Sequence, residues 1–188
     1  MMKHNPHIKR LEELVLFALF GAMMFMSAQV DLIPNFHPLA LFIVAFTLVY
    51  RFKALIPIYV YVMLEGLIGG FNLWWMPYLY IWTVLWAMAM LIPRRSNELW
   101  VGLAAVFVAA LHGICFGLLY APFQCYAMYG GDWSLTLTWM INGALFDTVH
   151  MVGNLTSSLL VIPLVRLLFK LSGRKYPFSP LTSLRNKK

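Results

Sequence analysis

The Lys and Arg residues of this chain are confined to four short clusters separated by long apolar stretches. The clusters are the N-terminal tail from Lys3 to Arg10, Arg51 with Lys53, Arg94 with Arg95, and the C-terminal stretch from Arg166 to Lys188. Hydrophobic residues make up 62% of the 188 residues, and charged residues only 11%. A soluble domain of this size cannot bury so much apolar surface, because a small body has a large surface for its volume. The pattern therefore indicates an integral membrane protein.

The apolar intervals predict a single membrane domain over residues 1–188, built as an all-α bundle of six transmembrane helices. A helix needs about 20 residues to cross ~30 Å of hydrocarbon, although tilt permits fewer. Each interval between basic clusters is long enough for two crossings and contains a polar or glycine-rich break. The predicted spans are residues 11–31, 38–50, 54–70, 77–93, 99–120 and 138–170, followed by a basic tail at 171–188. Residues 133–142 are expected to cap the outer surface.

Six crossings place every basic cluster on one side of the membrane, and the three loops on the opposite side contain no Lys or Arg. Positive charge is retained on the cytoplasmic side during insertion. We therefore expect a multi-pass protein with both termini in the cytoplasm. A cleaved signal peptide is the alternative for the first apolar run, but that run is long for one and Ser27-Ala28 matches a cleavage site poorly.

Polar side chains, whose burial in a membrane costs free energy, are predicted to lie in the outer half of the bundle. The basic clusters mark the inner end of each helix, and an α-helix rises 1.5 Å per residue. Glu65 therefore lies about 18 Å above Lys53, and Asp147 about 28 Å above Arg166. The other members of this group are Gln29, Asp31, Asn72, His112 and His150, with Asn154 near the middle. Ionisable groups within a membrane face protein or water and mark candidate functional sites. The pattern predicts a ligand pocket open to the outside above an apolar floor, without the continuous polar path of a channel.

Asp147, His150, Asn154 and Ser158 recur at intervals of three and four and therefore share one face of the last helix. They would line the pocket or, alternatively, form a structural seam in which Asp147 pairs with His150. Glu65 is either a ligand acceptor or the partner of a buried donor. His112 is a further candidate, with a packed structural histidine as the alternative.

The predicted outer loops are rich in aromatic residues, whereas the inner loops are not. An interfacial belt of Trp and Tyr is one explanation, but a belt appears at both interfaces. The imbalance favours aromatic walls for a flat, partly apolar ligand. With the polar residues named above, the candidate ligand-binding residues from the loops are Asn35, His37, Asn72, Trp74, Trp75, Tyr78, Gln124, Tyr126 and Trp133.

Common catalytic motifs are missing from the sequence. It has no G-x-x-x-x-G-K-[ST] phosphate loop, no H-E-x-x-H zinc motif and no G-x-S-x-G nucleophile turn. Cys115 and Cys125 are too far apart for a C-x-x-C motif, and Asp147 with two histidines is weak support for a metal site. We expect no cofactor, no metal, no nucleic-acid partner and no enzymatic activity of the chain's own.

With its six predicted spans, the sequence resembles the substrate-binding (S) component of an energy-coupling factor (ECF) type ABC transporter of prokaryotes. The resemblance rests on Ala18-Leu19-Phe20-Gly21-Ala22, Leu64-Glu65-Gly66-Leu67, Trp74-Trp75 and Phe146-Asp147-x-x-His150-x-x-x-Asn154. It implies a prokaryotic cell-membrane protein that captures a vitamin-like small molecule from outside. It also implies partners, namely a transmembrane coupling subunit that packs on Ala18 and Ala22, and two ATPase subunits that supply energy.

Two other functions stay open at this stage. A small intramembrane enzyme would use Asp147 and His150 as acid and base. A membrane assembly factor without a ligand would use the polar residues only to hold its helices together.

Overall fold

The computed structural model describes residues 6–30, 36–93 and 96–179, and within these ranges the chain is helical, with no β-strand. A 3-10 turn covers Arg51–Ala54 and a wide π-helical turn covers Gln124–Met128. The α-helices are α1 Pro6–Gln29, α2 Leu39–Tyr50, α3 Leu55–Gly69, α4 Tyr78–Met90, α5 Glu98–Ile114, α6 Phe116–Phe123, α7 Trp133–Ser158 and α8 Val161–Leu171.

Several of these helices have the length and composition of membrane spans. Two stretches, Arg10–Gln29 and Leu39–Gly69, are long and apolar enough to cross a bilayer, and α4 is a shorter apolar helix. The pairs α5–α6 and α7–α8 are bent by 45° and 52°, and counting each pair as one span raises the number to four. The described chain is thus an all-helical protein with the apolar helices of a membrane protein.

The stretch Leu39–Gly69 reverses direction at Arg51. The Phe20 ring of α1 stacks on Phe46 of α2 at 4.5 Å, whereas the neighbouring Gly21 approaches Val60 of α3. A straight helix would hold residues 46 and 60 about 21 Å apart. Arg51 has a φ of 58°, a left-handed conformation that is unfavourable for a residue with a side chain. Trp86 donates its indole N–H to the Arg51 carbonyl at 3.1 Å and so helps to hold this turn.

Contacts between helices show that the direction of the chain alternates along the bundle. Lys53 pairs with Glu13 at one end of α1, and Gln29 contacts Glu65 at the other, so α1 and α3 are parallel. The Tyr59 hydroxyl of α3 donates to the carbonyl of Leu79 at the start of α4, and α4 runs back from there.

The last two bent pairs, α5–α6 and α7–α8, are antiparallel to each other. The Asn154 side chain donates to the Ala109 carbonyl at 3.0 Å, and Arg166 donates to Glu98 at 2.8 Å. Helix α2 occupies the centre of the bundle, and all its residues except Phe42 are buried. This central helix is apolar because it meets other helices on every side.

The basic residues that the structure describes gather at one end of the bundle. Glu13 accepts from Lys53 and, at 3.2 Å, from Arg174, which also donates to the Val49 carbonyl. Described residues of the second and fourth clusters thus lie at the same end of the bundle, while the side of the membrane on which they lie stays a prediction. Arg94 and Arg95 lie outside the described residues.

The prediction that residues 133–142 form a surface cap differs from the structure, in which they are the first turns of α7. Asp132 accepts hydrogen bonds from the backbone N–H groups of Ser134 and Leu135 at 2.8 and 3.1 Å, and so caps the helix at its start. The last segment has more residues than one straight span needs, and the helix breaks at its other end, where α7 stops at Ser158. Pro163 explains this break, because its ring clashes with the carbonyl four residues earlier in a continuous helix.

Gly21 offers a direct test of the packing between α1 and α3. A Cβ atom at this position would lie 2.5 Å from the Val60 Cβ and 2.9 Å from the Pro57 carbonyl oxygen. We expect Gly21→Ala to lower the free energy of unfolding by about 1–3 kcal/mol, measured by denaturant unfolding in detergent micelles. Gly143→Ala is the matched control, because a Cβ there has open space within 4 Å and a helical alanine is favoured over glycine. Equal stability of the two variants would contradict the close packing.

Candidate functional site

A cavity of about 360 Å³ lies between α6 and α7, at the end of the bundle away from the basic residues. Four aromatic side chains and a few polar groups form its walls. They are Phe116, Tyr120, Trp139 and Phe146, with Gly117, Met140, Asn142, Gly143, Asp147 and His150. Small-molecule sites are typically clefts of about 300–1,000 Å³ with mostly apolar walls and a few polar groups that orient the ligand. The cavity matches this description in size and in chemistry.

The break between α5 and α6 at Cys115 shapes this cavity. A new helix start leaves backbone N–H groups without intrahelical acceptors. The Asp147 carboxylate accepts from the Gly117 N–H, with its two oxygens 3.1 and 3.2 Å from the nitrogen. Glycine permits this approach, because a Cβ on residue 117 would lie 2.5 Å from a carboxylate oxygen of Asp147 and would displace it. Asp147 therefore caps α6 from the neighbouring helix α7.

This contact differs from the pairing of Asp147 with His150 considered from the sequence. His150 instead lies among rings, with centroids 4.7 Å from Phe116, 5.4 Å from His37 and 6.5 Å from His112. It is 3% exposed and forms the inner end of the cavity wall. Asp147 and His150 thus share the cavity but have different contacts.

Three buried polar atoms in and around His150 have no hydrogen-bond partner among the described residues. The indole N–H of Trp82, Nδ1 of His112 and Nε2 of His150 are buried without a hydrogen-bond partner among the described residues. The ring centroids of these three side chains lie 5.6–6.5 Å apart. A buried polar group without a partner costs about 1–3 kcal/mol. Of these three side chains only His150 lines the cavity, so its Nε2 is the atom at which a polar group from outside the protein would be stabilised.

The tautomer of His112 follows from its one hydrogen bond. Its Nε2 lies 3.1 Å from the Ile81 carbonyl oxygen, which can only accept, so Nε2 carries the proton. In a neutral His112 the Nδ1 atom is then an acceptor. The Trp82 indole can only donate, so the two neighbouring rings offer one acceptor and one donor.

Glu65, Trp75 and Asn72 lie away from this cavity. Glu65 accepts hydrogen bonds from Tyr61 and from Gln29, so it is the partner of nearby donors on α3 and α1. The Trp75 indole donates to the Val62 carbonyl at 2.7 Å and packs where Gly66 leaves room. Asn72 is exposed in the turn after α3.

The other aromatic candidates fall into two places. Trp74 packs edge-to-face on Tyr78 at 5.6 Å, and the Trp74 carbonyl accepts a hydrogen bond from the cavity residue Tyr120. Tyr126 and Trp133 contact each other at 6.2 Å around the turn before α7, in which Gln124 also lies. Trp74 and Tyr78 are thus linked to the cavity through Tyr120, whereas Tyr126 and Trp133 belong to the turn before α7.

The remaining candidates are on the helices or outside the described residues. Asn154 is buried and bonded to the Ala109 carbonyl, a contact that holds α7 against α5. Ala18 is exposed on α1, and Ala22 is half-buried. Asn35 and Asp31 lie outside the described residues.

The sequence reasoning missed most of the cavity wall. Phe116, Tyr120, Trp139, Asn142 and Phe146 were not among the candidates. A signal was present on α7, where residues 139, 143, 146, 147 and 150 recur at helical spacing. It was missed because residues 133–142 were assigned to a surface cap, which removed Trp139 and Asn142 from the helix.

Within the described ranges no group of three or more His, Cys, Asp or Glu side chains is placed to hold a metal ion. Comparison of the chain with protein-family models, with curated proteins and with solved structures finds no match. The site is therefore interpreted from its own geometry.

The contact between Asp147 and Gly117 can be tested by stability measurements. Asp147→Ala leaves the Gly117 N–H without its acceptor, and we expect it to lower the free energy of unfolding by about 1–2 kcal/mol. Asp147→Asn keeps a carbonyl acceptor at the same position and is expected to lose less. Denaturant unfolding of the purified variants in one detergent compares them. Equal losses would show that the negative charge, and not the hydrogen-bond acceptor, is what this position needs.

Proposed function

We propose that this protein captures a small, planar, partly apolar molecule in the cavity between α6 and α7, and that it acts as the substrate-binding subunit of an ECF-type vitamin or micronutrient transporter. The observation that carries the proposal is the cavity itself. It combines aromatic walls with Asp147 and with His150, whose Nε2 is buried without a partner among the described residues. Such a combination suits a ring compound with hydrogen-bonding groups at its edge.

The proposed topology is a bundle of six crossings with both termini in the cytoplasm. Alternating helix directions and the gathering of Lys53, Arg166 and Arg174 at one end support it. Because positive residues stay on the cytoplasmic side, the opposite end with the cavity faces the exterior. The ligand then enters from outside the cell.

In this proposal the ring of the ligand lies between Tyr120 and Trp139 on one side and Phe146 on the other. Its polar edge points to His150, whose buried Nε2 has no hydrogen-bond partner among the described residues. Asp147 gives the wall a carboxylate that attracts N–H or O–H groups of the ligand. A planar ring with N–H or O–H groups at its edge is the structure of a vitamin-like heterocycle.

An apolar floor prevents the protein from passing its ligand across the membrane alone. Beneath the histidines, α2 fills the centre of the bundle with buried apolar side chains. Delivery therefore requires partners, which in this proposal are the coupling subunit and two ATPases. Exposed Ala18 and half-buried Ala22 give α1 the small residues that permit close contact with another membrane helix.

The ligand can be sought directly in the purified protein. We expect native mass spectrometry of protein from its own host to detect a bound small molecule without ATP, and binding to at least one member of a vitamin panel at nanomolar to micromolar affinity. Trp139→Ala and His150→Ala remove an aromatic wall and the polar inner end, so each should reduce retention at least tenfold.

Ile141→Ala is the control, because Ile141 lies on the same helix, is 74% exposed and does not line the cavity. Its retention should equal that of the unaltered protein. Absence of any bound molecule, or retention that Trp139→Ala and His150→Ala leave unchanged, would overturn the proposal.

A further inference from the structure

A second cavity, of about 420 Å³, lies at the basic end of the bundle, opposite the first. Three cationic side chains and one carboxylate line it, together with an aromatic wall. The charged residues are Arg166, Lys170, Arg174 and Glu98, and the aromatic residues are Phe169, Tyr176 and Phe178. The cavity is therefore positively charged at its rim and apolar on one side.

The single carboxylate of this cavity is already neutralised. Glu98 is 2% exposed and accepts hydrogen bonds from both Arg166 Nε, at 2.8 Å, and Arg166 Nη2. The Tyr176 hydroxyl donates to the same carboxylate at 2.6 Å. Burial, and then this hydrogen bond, raise the pKa of Tyr176, so the phenol remains a neutral donor. Glu98 therefore has little capacity left to balance further cations.

Positive charge remains in excess around the cavity. Arg174 shares Glu13 with Lys53, so that two cations approach one carboxylate. Lys170 makes no ion pair within the part of the chain that the structure describes. An anion in the cavity would therefore meet Lys170 directly and Arg174 in part.

The aromatic wall gives the cavity a fixed shape. Phe169, Tyr176 and Phe178 pack edge-to-face in a mutual cluster, with centroids 5.3–6.3 Å apart. Backbone hydrogen bonds from Glu98 N to Ser179 O and from Ser179 N to Ser96 O, both 3.1 Å long, attach the segment after α8 to the start of α5. The charged rim is thus built on packed elements, whereas insertion topology alone needs only basic residues in the loops.

Helix α8 exposes cationic and apolar side chains next to each other at the basic end of the bundle. It bends by 52° away from α7. Arg166 and Lys170 follow each other at four-residue spacing, and beside them Leu167 and Leu171 are 50% and 74% exposed. Adjacent cationic and apolar side chains suit contact with lipid headgroups and with the acyl chains next to them.

We propose that this cavity binds the phosphate headgroup of an anionic phospholipid from the leaflet at the basic end of the bundle. The phosphate lies against Lys170 and Arg174, and the acyl chains extend along Leu167 and Leu171. Free phosphate also carries negative charge, but it has no apolar chain that would cover the exposed leucines. Basic pockets between membrane helices bind anionic lipid headgroups in this way.

The test measures lipid binding to the full-length protein in a neutral detergent. Dioleoyl phosphatidylglycerol is added in one series, dioleoyl phosphatidylcholine in a second, and inorganic phosphate in a third. Discrete adducts are counted by native mass spectrometry and thermal unfolding is recorded. We expect adducts and a raised unfolding temperature with phosphatidylglycerol, and neither effect with the other two at equal concentration.

Two variants with the same charge change locate the site. Lys170→Gln should weaken phosphatidylglycerol binding about fivefold, since one cation near anionic lipid is worth about 1 kcal/mol. Lys175→Gln removes a charge from an exposed residue outside the cavity and should leave the affinity unchanged, and Lys170→Arg should preserve it.

Three results would overturn the proposal. Equal losses in Lys170→Gln and Lys175→Gln would mean that binding follows net charge alone. An equal effect of inorganic phosphate would assign the site to a free anion. Binding of phosphatidylcholine as tight as that of phosphatidylglycerol would exclude a role for the cations.

Discussion

The hydrogen bonds between the Asp147 carboxylate and the Gly117 amide sustain the part of the structure in which the cavity lies. A helix that breaks inside an apolar environment must find new partners for its freed backbone groups, since no water is there to supply them. Asp147 provides that partner from α7, and the missing side chain of Gly117 allows the approach. The break then lets α6 turn by 45° from α5, and Phe116 and Tyr120 come to face Trp139 and Phe146.

Charge and hydrogen-bonding capacity are distributed differently at the two ends of the bundle. At the basic end, cations are held by Glu13 and Glu98, and the hydroxyl of Tyr176 completes the contacts of Glu98. At the other end, Trp82, His112 and His150 retain buried atoms without partners. On the polar face of α7, Asn154 donates its amide to the Ala109 carbonyl, whereas its Oδ1 and the Ser158 hydroxyl have no hydrogen-bond partner among the described residues. Asp147 accepts from the Gly117 amide instead of pairing with His150, so the two side chains do not form the hydrogen-bonded acid–base pair that an enzyme would use.

Much of the fold follows from patterns that act over long stretches of sequence. Basic clusters separated by apolar stretches predict a common end and a reversal at Arg51, and the contacts of the described residues agree with both. The site was harder to predict, because it depends on single contacts between distant residues. Nothing in the sequence near Trp75 shows that its indole reaches Val62, or that Gln29 and Tyr61 satisfy Glu65. The capping of α7 by Asp132 is a local signal that the sequence does carry, and it places Trp139 inside the helix instead of in a surface cap.

The central claim is that the cavity end faces the cell exterior and the basic end the cytoplasm. Cysteine labelling in intact cells tests this most directly, with Cys115 and Cys125 first replaced by Ala. Ser134→Cys lies at the exposed start of α7, and Lys175→Cys lies at the exposed basic end. A membrane-impermeant maleimide should label Ser134→Cys in intact cells and Lys175→Cys only after the cells are permeabilised. Labelling of Lys175→Cys in intact cells, with Ser134→Cys protected, would contradict the account.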